Sequence, residues 1–288
     1  MNKFDEKTIT QSSLTTFLEC PRKYEYKHIR CLRGLSAEEP IYFLLGRAFH
    51  KFMEIGCNHV SLDGIDETEK ARLRGVMAAY RGHYGSNAFY SGDNEKFFCI
   101  DLGEFQLCGI ADAVIDNAVI DHKLVGQMQS SYLNTLESSP QLIYLYAFKR
   151  NVFTYNIVVK PSIKWKESRG QTIEEFRDEI EAKMLAAPEK HFLRHDIHVS
   201  ADRVHAMKCY YSENITRIAR NMDNNDWPKN ITSCVNRYGR ACQFFNVCHG
   251  NDPEFELRTN FVEDDTMRHS ELKAKFKEEE TENDPFAD

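Results

Sequence analysis

The chain has 288 residues, 42% apolar and 12% aromatic, enough for a sizeable core in one α/β domain with insertions or a tail. No run approaches the roughly 18 uninterrupted apolar residues of a membrane span. The opening MNKFDEKTIT has neither an apolar signal region nor an Arg-rich transit pattern, so a soluble, cytoplasmic protein is expected. The net charge of −7 is a property of residues 251–288, which hold 13 acidic and 5 basic side chains against 31 and 32 in residues 1–250. A near-neutral body permits a nucleic-acid partner without predicting one.

Thr10 or Ser12 caps a first helix in which Leu14, Phe17 and Leu18 share a face before Pro21 interrupts it. A second helix spans residues 40–60, with Phe43, Leu44, Ala48, Phe49, Phe52 and Met53 at helical spacing, and a third runs from about Glu67 to Tyr84. Then the period changes. Residues 96–101, 106–115 and 118–123 are short β-branched or aromatic runs separated by LGEF and by Asp116-Asn117, which predicts a three-stranded meander. A helix over 140–150, a strand over 155–160, a helix over 172–186 opened by the Thr172/Glu175 capping box, and a helix over 201–222 follow. Residues 223–250 lack a period and need another staple. Beyond residue 250 the acidic run has little to bury and is expected to be a mobile tail.

With Asp116-Asn117 as a two-residue turn, Val114 pairs with Val119, Ala113 with Ile120 and Asp112 with Asp121. Facing carboxylates on neighbouring strands repel unless a cation lies between them. Oxygen ligands of this kind suit Mg²⁺ or Mn²⁺, and strand alternation brings Lys123 to the face of Asp121. Such a patch suits phosphodiester hydrolysis, with a metal-activated water and a lysine that orients it or stabilises the transition state. Taken alone, the string equally describes an exposed hairpin with solvated charges.

GIADAVIDNAVIDHK resembles the central motif of the PD-(D/E)XK nucleases, in the RecB-like branch that includes CRISPR adaptation nucleases, the AddB nuclease domain and phage exonucleases. The resemblance implies a restriction-endonuclease-like α/β core with a central mixed sheet flanked by helices, spanning residues 1–250. It implies metal binding by Asp112 and Asp121 and catalytic assistance by Lys123. LLGRAFHKFMEIG resembles the branch's early Gly-x-x-x-His helix and implies His50 as a further ligand, although a lone helical histidine is otherwise structural. SPQLIYLYAFKR resembles the helix after the hairpin and implies Gln141 and Tyr144 at the DNA end. Glu95 could also approach the metal; a solvated glutamate at a strand start is the alternative.

Nine cysteines, at 20, 31, 57, 99, 108, 209, 234, 242 and 248, suggest free thiols or metal ligands over a disulfide framework. Cys20 with Cys234, Cys242 and Cys248 resembles the iron-sulfur staple of part of the RecB-like branch, which implies a [4Fe-4S] cluster tying the N- and C-terminal parts together. Four thiolates satisfy a structural zinc equally well. The other cysteines then read as buried thiols. Arg22, Lys23, Lys27, Arg30 and Arg33, with Tyr24 and Tyr26, could guide a single strand by phosphate contact and stacking, or simply form a solvated face.

The function expected is a Mg²⁺- or Mn²⁺-dependent exonuclease or end-processing enzyme of phage-type recombination, repair or replication, acting on single-stranded or duplex DNA ends, in the host cytoplasm if phage-encoded. A recombination or single-strand-binding protein partner stays open. The alternatives are a cluster-bearing DNA-binding or assembly protein with a vestigial site, and a zinc-stapled RNA-processing nuclease. The DPF near the acidic terminus could dock on a partner or in the chain's own DNA groove; a solubilising tail is the simpler reading.

Overall fold

The computed structural model describes residues 5–35, 40–56, 60–128, 140–236, 239–270 and 272–276. In chain order its elements are β1 (Thr8–Ile9), α1 (Gln11–Glu19), α2 (Pro21–Tyr24), β2 (Leu32–Gly34), α3 (Ile41–Ile55), α4 (Glu67–Tyr84), β3 (Asp93–Leu102), β4 (Phe105–Val114) and β5 (Ala118–Val125). Then come α5 (Ile143–Phe148), β6 (Val152–Val159), α6 (Ile173–Ala186), β7 (Phe192–His198), α7 (Ala201–Asn224), α8 (Phe245–His249), α9 (Pro253–Asn260) and β8 (Phe261–Glu263). The chain divides into two compact units, one of Met1–Glu38, Phe97–Ile110 and Ala206–Asp288, the other of Glu39–Lys96 and Ala111–His205.

The second unit carries a mixed sheet: β4 antiparallel to β5, β5 parallel to β6, and β6 antiparallel to β7. All eight residues of β6 are buried, as a strand paired on both sides and covered on both faces requires. That explains why the observed strand begins at Val152 and not at the expected Tyr155: Val152 and Phe153 are core residues with ladder partners in β5 and β7. β7, with the sequence FLRHDIH, has no apolar alternation and escaped the sequence reading; its place comes from pairing with β6. Helices α3, α4 and α6 cover the sheet through Phe49, Phe52, Val76, Tyr80, Phe176 and Ile180, packed with Val158 and Phe192. α4 and α6 approach closely at Gly75, where a Cβ would come 2.6 Å from the carbonyl oxygen of Arg177.

In the first unit β1 pairs in parallel with β4 at Gln106 and Leu107. Thr10 caps α1, as expected, in a capping box closed by Ser13. Pro21 begins a new helix where α1 stops, since proline is tolerated at a first helical turn. Three expectations are corrected here. The mobile tail expected from residue 251 is corrected for residues 253–270 and 272–276: β8 pairs antiparallel with β2, Phe261 stacks on Phe244, and Leu272 is buried against Cys108. The apolar residues that do this, Phe261, Leu272 and Phe276, are too sparse to show a period. Cys99 and Cys108 form a disulfide and are not free thiols, and Cys209 is exposed. Cys57 and the DPF lie outside the described residues. Among the described residues no helix is long and apolar enough to cross a membrane.

Candidate metal centre

The Asp116-Asn117 turn sets the β4–β5 register: Val114 opposes Val119 and Ala113 opposes Ile120, with the Ile115 N–H donating to the Ala118 carbonyl at 3.0 Å. At Asp112 a side chain takes part in the link between the strands. Its Oδ2 accepts the backbone N–H of His122 at 2.6 Å, a charge-assisted bond that fixes the carboxylate to β5. Lys123 stands two residues beyond Asp121 on the same face, its Nζ 2.8 Å from both Asp121 oxygens. Only Oδ1 receives a well-directed hydrogen bond; Oδ2 is buried with no donor aligned to it.

α3 buries Leu45, Ala48, Phe49, Phe52 and Met53 and carries His50 on the flank of that face, its Nδ1 3.4 Å from Asp112 Oδ1. Glu95 reaches the same place from β3. It adopts φ +48°, unusual for a non-glycine residue and a strain of about 1–3 kcal/mol, while the Asn94 side chain before it donates to the Glu54 carbonyl of α3 at 3.2 Å. Ligand atoms of His50, Glu95 and Asp112 all lie within 4.8 Å of one another.

Burial pushes the Asp121 carboxyl up and the Asp112 charge adds to that, with Lys123 opposing. For Asp112, burial is outweighed by the hydrogen bond and charge of His50, so its carboxyl falls below the usual range. His50 is held above its ordinary value: burial lowers it, but the bond to Asp112 prevails. The two carboxylates are pulled apart because His50 supports the Asp112 charge while burial and Asp112 oppose that of Asp121, the pattern of a functional centre.

Gln141 and Tyr144 come from the segment after the hairpin, where Pro140–Leu142 forms a 3₁₀ turn ahead of the short α5. Tyr155, the ladder neighbour of Asp121 on β6, donates its hydroxyl to Gln141 Oε1 at 2.6 Å. Tyr144 is raised by burial and by the charges of Asp112, Asp121 and Glu95, which puts its hydroxyl within their field. Sequence reasoning missed Tyr155; its signal is only its register opposite Asp121. It also missed a buried chain behind His122, whose Nδ1 is 2.9 Å from Asn156 Nδ2; Asn156 bonds Tyr80 Oη, and Arg194 donates to Tyr80 at 2.8 Å and to the Ala88 carbonyl at 2.7 Å. Burial drives the His122 imidazole down to about 4, so the ring is neutral and accepts from the amide.

In the other unit Cys20, Cys234, Cys242 and Cys248 line one pocket with Lys23, Lys229, Phe244 and Phe245. Asn230 ties the segments that carry them: its N–H donates to Cys20 Sγ at 3.4 Å and its side chain to the Glu19 carbonyl at 2.8 Å. His249 Nε2 lies 3.3 Å from Cys234 Sγ, a neighbour the sequence reading overlooked. Of the two readings open for the cationic segment near Cys20, stacking by its tyrosines is not supported. Tyr24 and Tyr26 are core residues packed on Trp227 and Phe244, unavailable for stacking, and Arg22, Lys23 and Arg30 pair with Glu25, Glu19 and Glu263.

A family model described as the PD-(D/E)XK nuclease superfamily matches residues 8–249. No curated protein matches the chain. Among solved structures, one described as a "Putative exonuclease" from Eubacterium rectale aligns with a TM-score of 0.52 at 12% identity, covering 86% of this chain and 89% of that one. A phage related exonuclease from Haemophilus somnus 129PT aligns with a TM-score of 0.33 at 14% identity, covering 73% of this chain and 96% of that one. At such identities the first supports the fold alone and the second carries no weight.

Proposed function

Because this chain belongs to the PD-(D/E)XK nuclease superfamily, we propose that it is a divalent-metal-dependent deoxyribonuclease of the RecB-like branch, acting at DNA ends. The observation that carries this reading is the convergence of His50, Glu95 and Asp112 beside Asp121, whose buried Oδ2 has no donor aligned to it. An oxygen-rich set with one imidazole fits Mg²⁺ or Mn²⁺. His50, Asp112 and Asp121 would hold the ion, with Glu95 in reach.

When bound, the cation acidifies a coordinated water and neutralises charge on the phosphate oxygens. The residues around it do the rest. Lys123, steered by Asp121, orients the attacking water or donates to the oxygen on which charge builds. The Tyr155 hydroxyl occupies Gln141 Oε1, so the Gln141 amide group serves as a donor to the strand. Tyr144, kept protonated by its surroundings, is a second donor. His122, through its backbone N–H, holds Asp112 in place.

The four cysteines fit a metal cluster by the chemistry of their donors: four sulfurs lining one pocket between the N- and C-terminal segments of their unit. The RecB-like resemblance favours [4Fe-4S] over zinc as the staple. Iron and acid-labile sulfide should be found in anaerobically purified protein, and zinc without iron would overturn that assignment. The function itself is tested by digesting labelled DNA and RNA strands with Mg²⁺, Mn²⁺ or chelator. DNA cleavage that needs the metal is expected; cleavage of RNA alone would favour the RNA-processing reading, and no cleavage of either the vestigial one.

A further inference from the structure

The exposed side of α3 carries a feature that the metal centre does not use. Phe43 and His50 are seven residues apart, two helical turns, so they point the same way and are separated by about 10.5 Å along the axis. Gly46 lies between them on the same side and Tyr42 beside them. Tyr42 and Phe43 are 57% and 53% exposed, and their rings pack against each other with centroids 4.5 Å apart. Gly46 is unexplained by packing: a Cβ there would meet nothing within 4 Å, yet glycine inside a helix is less favourable than alanine. An uncovered aromatic pair, a bare stretch of backbone and a candidate metal ligand thus follow one another along one helix face.

We infer that Tyr42 and Phe43 form a stacking platform for the bases of a single-stranded DNA end, and that the strand passes Gly46 to bring its phosphate to the centre at His50. This rests on the nuclease reading above and adds the form in which substrate arrives. Aromatic rings accept any base through its π-face, so the platform gives affinity without sequence preference. Gly46 gives the strand close approach to the helix, the use to which a glycine lacking a packing reason is suited. At about 3.4 Å per stacked nucleotide the span from His50 to Phe43 corresponds to about three nucleotides, fewer if the strand is extended.

The test pairs two perturbations in the full-length protein: Tyr42→Ala/Phe43→Ala, and single abasic sites at the second, third and fourth nucleotides from the cleaved bond of a labelled oligonucleotide. Affinity is read by anisotropy with the metal chelated, and kcat/KM with Mn²⁺. In the wild type one of these abasic sites should weaken binding about tenfold, and in the double variant that same site should cost nothing further. Gly46→Leu, which fills open space, should keep or raise the melting temperature while weakening strand binding about tenfold. Additive effects of the two perturbations, or wild-type affinity in both variants, would overturn the platform; loss of self-association or of a protein contact in place of strand binding would assign the patch to that partner instead. Because anisotropy needs no turnover, the platform can fail while cleavage persists, and cleavage can fail while the platform stands.

Discussion

Asp112 accepts the backbone N–H of His122 at 2.6 Å, so a candidate metal ligand on one strand is held in place by the main chain of the next. The bond leaves Oδ1 directed toward His50. Asp112→Asn keeps the shape but replaces a charged acceptor with a neutral amide. Cleavage should fall by at least about 100-fold while the fold survives, since metal-assisted charge stabilisation is worth several kcal/mol. Retained activity would remove Asp112 from the centre.

The Asp121 carboxyl, raised above its ordinary 3.8 by burial and by Asp112, makes a pH prediction. A group with a raised folded pKa weighs against the folded state once deprotonated; the penalty is absent below the unfolded value and grows as pH rises through the folded one. The cation requires the carboxylate, so its binding releases a proton and tightens with pH over that same window. Mn²⁺ titrations should show affinity rising with pH from about 4.5 toward neutrality, by up to about tenfold per unit. In chelator, Asp121→Asn should melt higher than wild type near neutral pH. A pH-independent affinity would contradict the raised carboxyl.

Asn156 is fully buried and joins His122 to Tyr80. Asn156→Ala strands both partners and should cost about 2–4 kcal/mol in a denaturation experiment. Because His122 carries the N–H that Asp112 accepts, kcat should fall as well. Equal stability of variant and wild type would mean the chain of bonds contributes nothing.

Two helical glycines should respond in opposite directions. Gly75→Ala forces a methyl to within 2.6 Å of the Arg177 carbonyl, so α4 and α6 must separate, at a cost of about 1–3 kcal/mol. Gly46→Ala meets open space and should stabilise by about 0.5–1 kcal/mol. Thermal melts of the two variants check this, and a common sign would contradict it.

The parts of this chain that local rules govern were readable before any coordinates. The Asp116-Asn117 turn fixed the pairing of Val114 with Val119, and the Thr172/Glu175 box opens α6 as its spacing requires. What depends on distant partners was not. β7 exists because β6 offers it a ladder, and β8 because β2 does. At the site, Asp121 and Lys123 followed from strand alternation and His50 from a resemblance. The approach of Glu95 to His50 and Asp112 depends on a backbone φ that no pattern announces, and the register of Tyr155 opposite Asp121 on a parallel neighbour that is invisible along the chain. Tyr24 and Tyr26 stay ambiguous along the chain because aromatic residues beside cations look alike whether they cover a core or await a base.

The most direct measurement compares wild type with Asp121→Ala on end-labelled DNA in Mg²⁺, Mn²⁺ and chelator. Wild type should degrade the DNA with either metal and stop with chelator, and the variant should be at least about 100-fold slower with either metal. A variant that cuts as fast as wild type, or a wild type indifferent to chelator, would contradict a metal centre at Asp112 and Asp121.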